Sequence, residues 1–234
     1  MSRDNRQPQI GILLFKSAGQ KMPGDPGHPD TYAFPVAYGW VEGSFQSLVE
    51  GSPGARQNLI RQAQALARQG VRAIVGDCGL MGLYQADIAN AVEVPVAASS
   101  LALIPFLLST FAAEKSLGII TGDTSLLHRR HLPPDTPANR LIIAGMQAQP
   151  HFRAVVMERS APLDPRRLCE ETIAVAKSLA AAGDLGALLL ECSNLAPFRY
   201  DVARGLNLPV FDINSAVSLL NEAVCNQETT KEHY

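Results

Sequence analysis

The sequence has no excess of charge of either sign and no apolar run long enough to cross a bilayer. Its 234 residues carry 20 Lys and Arg against 22 Asp and Glu, a formal net charge of -2. That balance argues against the broad basic face nucleic acid requires and favours small polar or neutral partners. The most apolar stretch, SLALIPFLLSTFAA at 100–113, is interrupted by Pro105 and falls short of the roughly 20 residues of a membrane span, so it reads as a buried helix. The opening segment, MSRDNRQPQ, lacks an apolar core followed by a cleavage site; the expectation is a cytoplasmic protein with neither nucleic acid nor membrane as partner.

Cysteine is scarce and never paired at close spacing. None of Cys78, Cys169, Cys192 and Cys225 forms a C-x-x-C motif, which argues against zinc and dithiol redox sites, and lasting disulfides are not expected in a reducing compartment. His128 and His131 flank Arg129 and Arg130 with no carboxylate nearby, a solvated turn or helix end rather than a metal site. GQKMPGD has Gly19 and Gly24 at phosphate-loop spacing, but Asp25 and Pro26 stand where Lys and Ser or Thr are needed. GDCGLMG lacks the G-x-G-x-x-G fingerprint. No cofactor and no metal are expected.

What is present is an alternation of buried strands and helices. IGILLF (10–15) reads as a strand buried on both faces. A proline- and glycine-rich loop follows over 16–35, long enough to suggest a lid or rim. Helical spacing of Leu59, Ala63 and Leu66 with a C-terminal Gly70 predicts a helix over 53–70. VRAIVGD (71–77) then predicts a second strand. A helix over 80–92, a strand at VPVAAS and the apolar helix complete one unit. The second half begins again at SLGIITG (116–122), with a further strand at LIIAGMQ and a helix over 163–184 capped by Asp164 and Pro165. A strand at LGALLLE, a helix at LAPFRYDVARGL, a strand at LPVFDI and a closing helix follow. The tail, NQETTKEHY, reads as frayed.

The halves are related. With residue 78 set on residue 192, RAIVGDCGLMGLYQADIANAVEVPVAA (72–98) aligns without a gap on GALLLECSNLAPFRYDVARGLNLPVFD (186–212), placing Ala73 on Ala187, Asp87 on Asp201 and Pro95 on Pro209. Both cysteines end a buried strand behind an acid, Asp77 or Glu191. The expectation is an α/β fold of two similar lobes, each a parallel sheet flanked by helices, related by a pseudo-twofold duplication. The active site then lies in the cleft between lobes, beyond the carboxyl ends of the strands. Lobe boundaries fall at 1–106 plus 214–234 and at 107–213.

A lone cysteine is usually packing, whereas two at equivalent strand ends need a shared explanation. Facing thiols let one, as thiolate, take a proton from carbon while the other delivers one to the opposite face. Helices beginning near 80 and 195 would favour the thiolate, and Asp77 and Glu191 would oppose it as supporting groups. Gly79, Leu80, Thr121, Gly122, Thr124, Ser193 and Asn194 are the candidate substrate contacts, suited to a carboxylate. Cys169 and Cys225 read as structural.

VGDCG and LECSN, each closing a buried strand in a duplicated α/β chain, resemble the aspartate/glutamate/hydantoin racemase superfamily over nearly the whole chain. The resemblance implies cofactor-independent racemisation or isomerisation by a cysteine pair. It makes Cys78 and Cys192 the acid-base residues, puts Ser193 and Asn194 where the family binds the substrate carboxylate, and suggests a homodimer or higher homo-oligomer. Glutamate racemases carry Asp-Ser, Cys-Asn-Thr and Cys-Thr-His where this chain has Lys16-Ser17, Cys78-Gly79-Leu80 and Cys192-Ser193-Asn194. Leu80 and Met81 point instead to a less polar wall, and the Cys-Gly step is nearer to hydantoin-racemase-like members. Over the site the 16–35 loop would bring Asp30, Thr31 and Tyr32. The expected enzyme is thus a racemase or epimerase of an amino acid or a derivative. The alternatives are a cis-trans isomerase of an unsaturated dicarboxylate and a two-lobed binding protein with inert thiols; a Cys78–Cys192 redox switch fits less well.

Overall fold

The structure, a computed structural model, describes residues 7–16 and 20–225; Ser17, Gly19 and the tail NQETTKEHY lie outside the described residues. Strands β1 (Ile10–Phe15), β2 (Val36–Val41), β3 (Ala73–Gly76) and β4 (Val96–Ala97) form one parallel sheet in the order β2-β1-β3-β4. The second sheet, from β5 (Ser116–Thr121), β6 (Leu141–Gly145), β7 (Leu185–Leu190) and β8 (Val210–Phe211), repeats that order as β6-β5-β7-β8. Around them lie α1 (Phe45–Glu50), α2 (Pro53–Arg68), α3 (Gln85–Ala89), α4 (Ile104–Ser109), α5 (Pro150–Phe152), α6 (Pro165–Ala181), α7 (Arg199–Leu206) and α8 (Ile213–Cys225). The duplication is kept residue for residue past each cysteine. The 3-10 turn Gly79–Tyr84, α3 and β4 begin 114 residues before the 3-10 turn Ser193–Phe198, α7 and β8.

Period-two burial sorts the strand residues onto two faces. Ile10, Ile12, Ala73 and Val75 of the first sheet share a core with Leu117, Ile119, Ala187 and Leu189 of the second, and α4 and α8 contribute Leu107, Leu108, Ala216 and Val217 to it. This shared core holds the lobes together. The opposite faces carry separate cores, Leu13, Ile74, Leu59 and Leu66 in the first lobe and Leu188, Leu190, Leu168 and Leu179 in the second. Glycine in β1 and in β5 makes room for the covering helix: a Cβ at Gly11 would lie 3.0 Å from Leu66, and one at Gly118 would lie 3.1 Å from Leu179.

Local signals account for the helix ends. The Ser52 hydroxyl accepts the Ala55 N–H with Pro53 in the first turn of α2, and Gly70 follows it at φ 89. Asp164 caps α6 by accepting the Arg166 and Arg167 N–H groups. Strand β2 carries no sequence expectation above, because an edge strand covered unevenly lacks a continuous buried run; Trp40 on it is half exposed. The helix expected over 80–92 divides into a 3-10 turn and the short α3, and the apolar stretch at 100–113 into a 3-10 turn and the six-residue α4. Among the described residues no helix is long and apolar enough to cross a membrane, and no group of three or more His, Cys, Asp or Glu could hold a metal ion.

Candidate active site

Strands β3 and β7 end at Asp77-Cys78 and Glu191-Cys192, and the chain then turns into a 3-10 helix in each lobe. A cavity of about 400 Å³ lies between these strand ends, lined by both acids, both cysteines, Gly79, Leu80, Thr121, Gly122, Ser193 and Asn194. Of the expected contacts, Thr124 stands outside: it is bound to Gln147, whose Nε2 donates to its Oγ1 at 2.8 Å. Met81 is fully buried in the first-lobe core and does not line the wall.

The acids are anchored in equivalent ways. Asp77 Oδ1 accepts the Phe15 N–H at 3.0 Å, and the Gly122 N–H bonds Glu191; Phe15 and Gly122 are the last or next residues of the corresponding strands β1 and β5. Thr121 Oγ1 donates to Glu191 Oε2 at 2.7 Å. Both acids are nearly inaccessible, and burial raises each carboxyl to about 7; at Asp77, Lys21 and the Phe15 N–H partly oppose that rise. Glu191 also reaches across the cleft: a Cβ at Gly79 would fall 1.8 Å from its Oε1. The close backbone approach expected at Gly79 is therefore made by a side chain of the other lobe.

Both thiols sit above their ordinary range. Burial is the leading cause at each, followed at Cys78 by the charges of Asp77 and Glu191 and at Cys192 by that of Glu191. The expected help from helix N-termini is overturned: each cysteine precedes only a 3-10 turn, with the α-helices starting at 85 and 199. The sulfurs are unlike in one respect. Asn194 Nδ2 donates to Cys192 Sγ at 3.5 Å and holds that thiol to about 12, whereas the residue at the corresponding position after Cys78 is Leu80, which offers only its backbone N–H.

Several lining residues carry no sequence expectation. Gln20 and Lys21 come from the 16–35 loop, but Asp30, Thr31 and Tyr32 do not reach the cavity. Asp30 is exposed, Thr31 accepts the Gly24 N–H, and the Tyr32 hydroxyl donates to Asn214 Oδ1 at 2.6 Å, so these residues hold the loop itself. Lys21 Nζ donates to Asp25 Oδ1 at 2.8 Å and lies 3.9 Å from Asp77 Oδ2. Opposite, a π-helical turn at Arg153–Met157 sends Val155, Val156, Met157 and Arg159 to the rim. Such turns recur at functional sites, and as a backbone register they have no side-chain period in the sequence. Glu171 fixes the start of this segment by accepting the His151 and Phe152 N–H groups, which holds Phe152 beside Cys192. Arg159 adopts φ 54 and makes no ion pair among the described residues. Phe15 and Phe45 complete the wall on the Cys78 side, edge to face at 6.3 Å. Cys169 packs in the second-lobe core, and Cys225 bonds Asn221 near the end of α8.

No protein-family model matches the chain. Among solved structures it is similar to arylmalonate decarboxylase (17% identity, 92% of this chain and 94% of the other, TM-score 0.58), allantoin racemase from Klebsiella pneumoniae (14%, 93% and 88%, 0.57) and an aspartate racemase from Picrophilus torridus (12%, 92% and 94%, 0.57). These share the fold of the aspartate/glutamate/hydantoin racemase superfamily. Relatives in sequence are a dimethylsulfoniopropionate lyase of Durusdinium sp. clade D, 30% identical over 221 residues that make 88% of this chain and 72% of the relative, and two from Emiliania huxleyi. Dimethylsulfoniopropionate lyase 6 is 32% identical over 88% of this chain and 57% of the relative; lyase 7 is 31% identical over 91% and 66%. The chain thus spans between 57% and 72% of these relatives. The expectation of a racemase or epimerase, and with it isomerase chemistry in amino-acid metabolism, is overturned by these lyase relatives; the racemase likeness extends to the fold alone. The broader expectation of an enzyme stands. The chain belongs to the dimethylsulfoniopropionate lyase family, built on the fold of the aspartate/glutamate/hydantoin racemase superfamily.

Proposed function

We propose that this enzyme is a lyase that cleaves dimethylsulfoniopropionate, or a close sulfonium carboxylate, by β-elimination. The substrate has a carboxylate at one end and a dimethylsulfonium at the other. A base removes the proton from the carbon next to the carboxylate, that electron pair forms the carbon–carbon double bond, and the carbon–sulfur pair departs with neutral dimethyl sulfide. Acrylate remains, and the proton leaves through the base to water.

The observation that carries the reading is the unequal pair of thiols in a sequence belonging to this family. Racemisation needs a proton taken on one face and given on the other, hence two comparable groups; elimination with a neutral leaving group needs one base and no acid. The Asn194 amide beside Cys192 stabilises one thiolate by hydrogen bonding, so Cys192 is the base. Ser193, Asn194 and Arg159 supply carboxylate donors on its side of the cavity. The resting thiol is protonated, and the proton is taken by the small thiolate fraction that the Asn194 amide stabilises.

The test is headspace measurement of dimethyl sulfide together with proton NMR of acrylate, for the native chain, Cys192→Ser and Cys78→Ser. Loss of about 10³-fold or more at Cys192 with a much smaller loss at Cys78 is the expected result. No product from the native chain, or equal losses at both cysteines, would overturn the assignment.

A further inference from the structure

The duplicated halves invite a comparison of the two ends of the cavity, position by position. After Cys192 come Ser193 and Asn194, both with polar side chains; at the matching positions after Cys78 stand Gly79 and Leu80, with none. At the strand end next to Cys192 is bare Gly122, and at the corresponding place beside Cys78 is the ring of Phe15. Phe45, from α1, meets that ring edge to face at 6.3 Å and an interplanar angle of 68°, and nearly half of its surface is open. The cation on this side, Lys21, is bound to Asp25, with the Asp77 carboxyl beyond it. The Cys78 end is therefore aromatic, with the Asp77 carboxyl behind it; the Cys192 end, although Glu191 and Asp123 also line it, carries no aromatic at the matching position and presents hydroxyl and amide donors, with Arg159 at the rim.

From this asymmetry we propose that Phe15 and Phe45, backed by Asp77, form a cation subsite that seats the methylated onium group of a zwitterionic substrate and so aligns its carboxylate end with Cys192. The assignment rests on the lyase reading for the identity of the natural ligand, while the subsite itself rests on the wall of the cavity. A soft, weakly hydrated onium with several methyl groups gains from aromatic faces what it loses in water, whereas a neutral group of the same shape gains only burial. The arrangement also sets the reaction's direction along the substrate. With the onium at Phe15 and Phe45, the carbon beside the carboxylate faces Cys192.

The experiment uses two unreactive ligands of one shape, the zwitterion 3-(trimethylammonio)propanoate and the anion 4,4-dimethylpentanoate, in which an uncharged tert-butyl group replaces the onium. Each is titrated by calorimetry into the native chain, Phe45→Leu and Phe45→Tyr. Phe45 is chosen because it is half exposed, so its replacement spares the core that Phe15 supports. The native chain is expected to bind the onium ligand about 5- to 30-fold more tightly than the tert-butyl one, with that preference largely lost in Phe45→Leu and kept in Phe45→Tyr. Equal affinity for the two ligands, absence of binding by both, or an equal loss of both in Phe45→Leu would overturn the subsite. Dimethyl sulfide release is read separately. A cation preference without product would retain the subsite and sink the lyase reading; product without a preference would do the reverse.

Discussion

At Cys192 the surroundings work against ionisation, and that determines how the enzyme should respond to pH. A thiol raised to about 12 by burial and by Glu191 is almost wholly protonated at neutrality, so the thiolate fraction grows about tenfold per pH unit below that value. Turnover is therefore expected to climb from pH 6 to pH 9 in stopped-time assays of dimethyl sulfide. Glu191→Gln removes the nearest negative charge while leaving an acceptor for Thr121, so it should move the rise to lower pH. A profile that falls over this range in the native enzyme would contradict a cysteine base. Gly79→Ala is the complementary change. Its Cβ would collide with Glu191 Oε1, and we expect at least a tenfold loss of kcat with little change in melting temperature, because the displaced carboxylate belongs to the site rather than to the core.

Among the elements, α2 and α6 show how the sheets are covered. Leu66 is fully buried over Gly11 and Gly39, and Leu66→Ala would leave a cavity that β1 and β2 cannot collapse to fill. The expected cost is about 2–5 kcal/mol, measured by urea unfolding. The helices were legible in the sequence because Leu59, Ala63 and Leu66 repeat at helical spacing and Ser52, Pro53, Asp164 and Pro165 mark their starts. Strand β2 and the turn at Arg153–Met157 were not legible. An edge strand exposes one side, and a π-helical turn is a backbone register with no side-chain period of its own. That turn delivers Met157 and Arg159 to the cavity, so part of the site escaped with it.

For the whole molecule, two lobes locked by a shared core place two buried carboxyls in one cleft. Asp77 and Glu191 have folded-state pKa values raised from 3.8 and 4.5 to about 7. A raised value means that the protonated carboxyl is favoured by folding, so this contribution is complete below about pH 4 and is lost as pH rises through 7. The loss is on the order of 3 to 4 kcal/mol for each acid. The double variant Asp77→Asn, Glu191→Gln should accordingly show a flatter dependence of unfolding free energy on pH between 5 and 8 than the native chain. An unchanged slope would mean that these acids already ionise freely in the folded protein.

The sequence by itself determined the architecture: strands buried on both faces, helices of fixed period and the 114-residue repeat of an acid-cysteine strand end leave few other ways to bury this chain. It also singled out Cys78, Cys192, Gly79, Leu80, Thr121, Gly122, Ser193 and Asn194, because strand ends of a parallel sheet converge on one crevice. The unequal residues after the two cysteines, Gly79-Leu80 and Ser193-Asn194, are visible in the sequence, but only the tertiary structure decided what that inequality does at the two sulfurs. The sequence repeat shows equivalent cysteines and so suggests a symmetric proton exchange. The amide of Asn194 on one sulfur, the reach of Glu191 to Gly79 across the cleft and the gathering of Phe15 with Phe45 depend on distances between residues remote in the chain, which no local pattern carries.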